Sequence, residues 1–276
     1  MKERITELLA DSTPRNATNT MREYLQARIL ETLQACGAWS SIAFMGGTAL
    51  RFLYRIPRFS EDLDFSLEDK NAGYDFANLI DAVRGQFERE GYAVEAKVGT
   101  RTAVNKAFIR FPGLEHEFGL SPHPDQVFSV KIEVDTDPPD GAGVAVTMVR
   151  RFATLRLAHH DKPSLLAGKT AALLLREWIK GRDVYDLVWY LSDPTWPEPN
   201  EDLLMNACRQ ANRPDLTHEG HVWRDALVSR IREAPWDHVL SDAQRFLERP
   251  EDAWMLERET VLSVLEQRGW AGRVES

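Results

Sequence analysis

The stretch IAFMGGTALRFLYR, residues 42–55, followed by DLDFSL, residues 62–67, decides how this chain folds. Ile42, Ala43, Phe44 and Met45 form a short apolar run of the kind that makes a buried strand, and it leads straight into Gly46-Gly47. After the two glycines, TALRFLYR returns to helical character, so the order is strand, glycine turn, helix. Beyond Pro57, Asp62 to Leu67 alternates polar and apolar residues with period two, which marks a strand with two unlike faces. Mixed α/β structure follows from these two pieces.

Working outward, residues 20–36 read as a helix with Leu25, Ile29, Thr32 or Leu33, and Cys36 on one face and Gly37 available to end it. Residues 74–90 look helical, while 92–98, 103–111, 127–135 and 144–149 look like strands joined by turns rich in glycine and proline. From about Asp161 the pattern is helical, over 163–179, 182–191, 201–211, 217–232, 237–247 and 252–268. The expected organisation is an α/β domain with N-terminal helices over residues 1–160 and a helical domain over 161–276.

Composition narrows the function. A chain of 276 residues with 43% hydrophobic and 28% charged residues buries a core and is not disordered. A formal net charge of −9 excludes a general nucleic-acid coat, because non-specific affinity comes from neutralising phosphates, so any nucleic-acid contact is local. Cys36 and Cys208 are too far apart and too few for a disulfide framework or zinc site. The first fifteen residues hold no signal-like apolar stretch, and the longest helical apolar run, Ala171 to Leu175, is too short for a bilayer. No membrane association and a cytoplasmic location are expected.

On a strand, Asp62 and Asp64 share one face while Leu63 and Phe65 point to the core. Like charges that close repel unless a cation sits between them, and hard oxygen donors favour Mg²⁺. The pair alone is equally an exposed acidic strand end, and Gly46-Gly47-Thr48 alone is equally a tight turn. A glycine turn that opens a helix about fifteen residues before a carboxylate-apolar-carboxylate strand is more specific, because backbone N–H groups there approach phosphate. Lys131, Glu133 and Asp135 share a face of another alternating strand. They are a solvated face, or else Glu133 completes a carboxylate trio and Lys131 offsets phosphate charge. Arg51, Arg55 and Arg58 are a solvated face or a phosphate or RNA contact.

FMGGTALRFLYRIPRFSEDLDFSLE, residues 44–68, resembles the signature of the AbiEii/AbiGii toxin family, which includes the MenT toxins and belongs to the polymerase-β-like nucleotidyltransferase superfamily. The superfamily pattern is matched by Met45-Gly46-Gly47, by Asp62-Leu63-Asp64 and by Ile132-Glu133-Val134, with a slightly long spacing from Gly47 to Asp62. LLAGK ending at Lys169 resembles the family's helical lysine motif, and KGRDVYD, residues 180–186, its K-x-R-D-x-x-D motif. The resemblance spans roughly residues 44 to 190 and implies a nucleotidyltransferase fold: a mixed α/β (α+β) sheet with flanking helices, followed by a helical domain.

By that resemblance the chain is a Mg²⁺- or Mn²⁺-dependent toxin of a toxin-antitoxin or phage-defence pair that transfers nucleotides from an NTP to RNA, at the 3′ acceptor end of tRNA. Asp62, Asp64 and Glu133 would hold metal; Gly46, Gly47, Thr48, Ser60, Lys131, Lys169, Arg182 and Asp183 would meet the nucleotide; Asp186 would act as acid or base; an antitoxin protein would be a partner. Lys169 lies on a helix stripe with Leu165, Ala172 and Leu173, where an inward ammonium needs an anion, though a lysine at a stripe's edge also snorkels to water. Arg182 and Asp186 at i and i+4 are also a common surface pair. Ser60 is a turn serine or a place where a phosphate would repel an incoming triphosphate. A small-molecule or protein acceptor, and a non-catalytic NTP-binding module, are the alternative readings.

Overall fold

The structure, a computed structural model, describes residues 2–217 and 222–271. It divides into two units that are discontinuous in sequence. One comprises Met1–Arg55, Phe59–Pro138 and Ala145–His159; the other comprises Ile56–Arg58, Pro139–Val144 and His160–Ser276. The boundary expected near residue 160 is therefore the last of several crossings rather than a single cut.

The first unit is built on a seven-stranded mixed sheet. Its strands are β1 (Ile42–Met45), β2 (Asp62–Leu67), β3 (Glu95–Gly99), β4 (Val104–Pro112), β5 (Val127–Asp135), β6 (Val144–Arg151) and β7 (Ala153–His160), in the order β3-β4-β5-β2-β1-β7-β6. The helices are α1 (Lys2–Ala10), α2 (Ala17–Ala35), α3 (Gly46–Tyr54), α4 (Phe76–Arg89) and the single-turn α5 (Leu114–Glu117). Central β1 pairs antiparallel with β2 and parallel with β7, and β2 pairs parallel with β5. On β5 the apolar residues Phe128, Val130, Ile132 and Val134 are buried while Lys131, Glu133 and Asp135 are half-exposed, as alternation on a pleated strand requires. Phe44 and Phe65, with ring centroids 5.2 Å apart, join β1 to β2 in the core.

The second unit is helical: α6 (Lys162–Leu175), α7 (Gly181–Leu191), α8 (Glu201–Gln210), α9 (Val222–Glu233), α10 (Trp236–Gln244) and α11 (Arg258–Gln267), with a 3-10 turn over Pro250–Leu256. Asp161 caps α6 by accepting the Ser164 backbone N–H at 2.9 Å. A Cβ on Gly181 would lie 1.8 Å from the Val239 carbonyl oxygen, so glycine is what lets the start of α7 touch the backbone of α10. Trp223 and Trp270 meet edge-to-face at 4.9 Å in this core.

Most elements lie where the sequence places them, with exceptions. Strand β7 is additional; its place comes from pairing with β1, a non-local contact. The helix expected over 163–179 stops at Leu175, and that expected over 252–268 begins as the 3-10 turn. Of the helix expected over 217–232, Val222–Glu233 is helical, and residues 218–221 lie outside the described residues.

Candidate active site

The turn from β1 into α3 sets the centre of the α/β unit. Gly46 has φ +78, and a Cβ there would lie 2.6 Å from Asp64 Oδ2. Only glycine allows both the left-handed conformation and that approach. Met45 is the Cα partner of Asp64, so the turn and the carboxylate are held together by the sheet. Thr48 is fully buried and its hydroxyl donates to the Asp62 carbonyl, tying the first turn of α3 to the start of β2. The first four N–H groups of a helix lack intrahelical partners and carry the positive end of its dipole, which here places an anion-attracting terminus beside Asp64. Gly46→Ala is expected to cut nucleotide transfer about 100-fold by displacing Asp64, at about 1–2 kcal/mol of backbone strain. Transfer assays with thermal melting check it; full activity would break the link between turn and carboxylate.

Parallel pairing of β2 with β5 sets Asp62 opposite Lys131 and Asp64 opposite Glu133, all on one face. Lys131 binds Glu133 at 2.6 Å, and Lys106 of β4 approaches Glu133 at 3.4 Å. Burial works against the Lys131 charge, yet the hydrogen bond and charge of Glu133, with Asp62 and Asp64, hold its ammonium above the ordinary lysine range. Glu133 thus stands opposite Asp64 with two lysines against its carboxylate. Among the described residues no group of three His, Cys, Asp or Glu side chains is placed to hold a metal ion. Asp62 and Asp64, both half-exposed, place two hard oxygen donors on the face of β2 that Lys131 also faces. That set fits Mg²⁺, which is bound through one or two carboxylates together with substrate phosphates rather than in an all-protein cage. Entry to β2 is fixed by Gln26, whose Nε2 donates to the carbonyls of Ser60 and Glu61 at 3.0 Å each.

The helical unit gathers a second cluster. Lys169 of α6 reaches Asp183 at 2.9 Å and Asp186 at 2.7 Å on α7. The anions required by an inward lysine are these two carboxylates. Arg58 grips both oxygens of Asp186, with the two side chains 2% and 0% exposed, and Arg176 pairs with Asp183. Three cations to two carboxylates leave the cluster net positive. Burial opposes the charges, but Asp183 and Asp186 hold Lys169 above its ordinary value, and Lys169 with Arg176 holds Asp183 below its own. Asp186, expected as an acid or base, has Arg58 on both carboxylate oxygens and Lys169 on one of them. Arg182 stands apart from Asp186: it lies over the Phe246 ring at 4.3 Å, and its backbone N–H donates to Asp242 at 3.2 Å.

The arginines read as an exposed face or a phosphate contact are otherwise disposed. Arg58 belongs to the cluster just described. Arg51 is buried, pairs with Glu23 at 3.1 Å, and stacks on Phe59 at 4.7 Å. Arg55 ends α3 in the left-handed conformation, φ 60. A guanidinium is buried only with a planar partner, and a partner distant in sequence is not visible in local spacing.

Compared with known proteins, residues 28–258 match the family described as nucleotidyl transferase AbiEii toxin, Type IV TA system. The chain belongs to the AbiEii nucleotidyl transferase toxin family. No curated protein sequence matches this AbiEii-family chain. Among solved structures it is similar to MenT4, a nucleotidyltransferase toxin from Mycobacterium tuberculosis H37Rv, at 18% identity and a TM-score of 0.59, covering 100% of this chain and 94% of that one. A Helicobacter pylori protein described as a nucleotidyltransferase matches at 18% identity and a TM-score of 0.50, covering 91% and 97%. JHP933 from Helicobacter pylori matches at 16% identity and 0.47, over 91% and 97%. At such identities the likeness to the first two shows the fold, that of nucleotidyltransferases, and the family adds the type IV toxin-antitoxin context. No helix among the described residues is long and apolar enough to cross a membrane.

Proposed function

We propose that this AbiEii-family toxin transfers a nucleotide from an NTP to the 3′ end of an RNA, in particular the acceptor end of tRNA, and is restrained by a cognate antitoxin. The observation that carries the reading is the contact of Gly46 with Asp64, which sets a helix N-terminus and a carboxylate pair side by side. Backbone N–H groups of Gly47 and Thr48 bind phosphate oxygens, and Lys131 offsets the added charge. Asp62 and Asp64 hold a divalent cation, Mg²⁺ or Mn²⁺, which when bound neutralises the triphosphate and orients it. The acceptor hydroxyl oxygen bonds to the α-phosphorus as the bond from that phosphorus to the β-phosphate oxygen breaks. The bonding pair leaves on pyrophosphate, and the hydroxyl proton passes to water or a carboxylate. Positioning and charge neutralisation supply the rate, with no covalent enzyme intermediate.

Incubation with each labelled NTP, Mg²⁺ and total RNA tests the reading. Label in the tRNA band, abolished by EDTA, is expected. Label on a protein or small molecule would replace the acceptor, and label nowhere would overturn transfer altogether.

The assignment of Lys169 to the triphosphate rests on the family motif. Lys169→Ala is then expected to raise KM for NTP about tenfold, the value of a charge-assisted hydrogen bond. It also removes a cation from Asp183 and Asp186, so melting is followed in parallel. A lowered melting temperature with unchanged NTP affinity would restrict Lys169 to stability.

A further inference from the structure

The α/β unit has a cleft of which the assignments above use only Asp62 and Lys131. It encloses about 340 Å³ and is lined by Arg22, Asp62, Phe108, Glu115, Gln126 and Lys131 among others. That volume lies at the small end of ligand sites, enough for a single nucleotide but not a folded chain. Phe108 of β4 is the Cα partner of Lys131, and Lys131 is that of Asp62, so three side chains stand in a row across three strands. With strands about 4.8 Å apart, Phe108 is about 10 Å from Asp62. Phe108 is 37% exposed on a polar face, whereas Ala107, Ile109 and Phe111 on the other face of β4 are wholly buried. Phe108 therefore contributes little to the core and presents an aromatic surface.

Arg22 of α2 is fixed beside it. Its guanidinium lies over the Phe128 ring at 4.4 Å and Nη1 donates to the Ser129 carbonyl at 2.7 Å, while its Nε is buried without a hydrogen-bond partner. Burial holds Arg22 below the ordinary arginine range, against the pull of Glu61, Asp62 and Glu115. A partly desolvated cation with an unmet N–H is suited to an anionic oxygen.

The position of the cleft separates donor from acceptor. The N-terminus of α3 follows β1 and abuts Asp64, on one side of the carboxylate pair; β5 and β4, with Lys131 and Phe108, lie on the other. In-line displacement puts the attacking hydroxyl and the departing pyrophosphate on opposite sides of the α-phosphorus. The geometry points to this cleft as the seat of the acceptor's 3′-terminal nucleotide, with its base stacked on Phe108, its phosphodiester met by Arg22 and its sugar hydroxyl directed to Asp62. The inference rests on the RNA-directed transfer proposed above. A pocket for one nucleotide also reconciles RNA binding with a net charge of −9, because contact is confined to the chain end.

Steady-state kinetics with NTP and tRNA varied separately, and anisotropy of a 5′-labelled RNA trinucleotide, test it on the full chain. Phe108→Ala is expected to raise KM for RNA and weaken trinucleotide binding about tenfold, the scale of one lost base stack. Phe108→Leu, which keeps apolar bulk without the π face, should lose nearly as much; Phe108→Trp should restore both, and KM for NTP should stay within twofold. Normal RNA kinetics and binding in Phe108→Ala, in an enzyme that still labels RNA, would overturn this inference alone. A raised KM for NTP instead would assign the cleft to the donor base and overturn it too. If the wild type labels no RNA, both this inference and the reading beneath it fall.

Discussion

Asp64→Ala should reduce nucleotide transfer by about 10³-fold or more while leaving the melting temperature within about 2 °C of the wild type. Loss of one preorganised donor already costs about 10²–10³-fold, and Asp64 is proposed to hold the cation that orients the donor. The side chain lies outside the buried core of β2, which Leu63 and Phe65 form. Asp64 is half-exposed, its neighbour Asp62 carries the same charge, and removing one of two crowded carboxylates relieves repulsion. Asp62→Ala should behave alike, because its backbone carbonyl, which accepts the Thr48 hydroxyl, survives the substitution. Retained transfer in either variant would remove the pair from the chemistry. Unfolding in place of inactivation would make it structural.

The largest loss of stability should follow Arg58→Ala. Arg58 is 1% exposed and makes a two-point contact with Asp186, itself 0% exposed. Removing one partner of a buried pair leaves the other charge without compensation, at about 3–5 kcal/mol, or roughly 10 °C in a protein of this size. Lys169 softens the loss because it also touches Asp186. Replacing both members, as in Arg58→Met with Asp186→Leu, should recover part of the deficit, since no buried charge is then orphaned. Denaturant melts read the effect; a change below about 1 kcal/mol would mean that the pair is not closed in solution.

Local signals read well in this chain. The apolar run of β1 and the alternation of β2 marked Ile42–Met45 and Asp62–Leu67 to the residue, since a short buried run and period two are properties of neighbouring residues. The glycine turn and the carboxylate strand were legible for the same reason, and the sheet brings them together. Lys169 was rightly expected inward, and its anions lie on the next helix. What could not be read depends on distance along the chain. Strand β7 is placed by its partner β1, and Arg51 and Arg58 looked like surface cations because Glu23 and Asp186 stand 28 and 128 residues away. Glu133 stands opposite Asp64 in the sheet, while Lys106, which approaches it, comes from β4, a neighbour that spacing within β5 does not reveal. Arg22 and Phe108 carried no motif; only the sheet register puts Phe108 in line with Asp62.

The separation of Arg58 from Asp186 also sets a clock during synthesis. A ribosome adding about 5–20 residues per second takes roughly 6–26 s to cover the 128 residues between them. Through that interval the Arg58 guanidinium waits in water, where it costs nothing, and the helical unit lacks its buried anchor. A nascent chain released after codon 64 and before codon 186 carries the glycine turn and both β2 aspartates yet cannot close this pair, so such truncated products should be handed to proteases rather than accumulate.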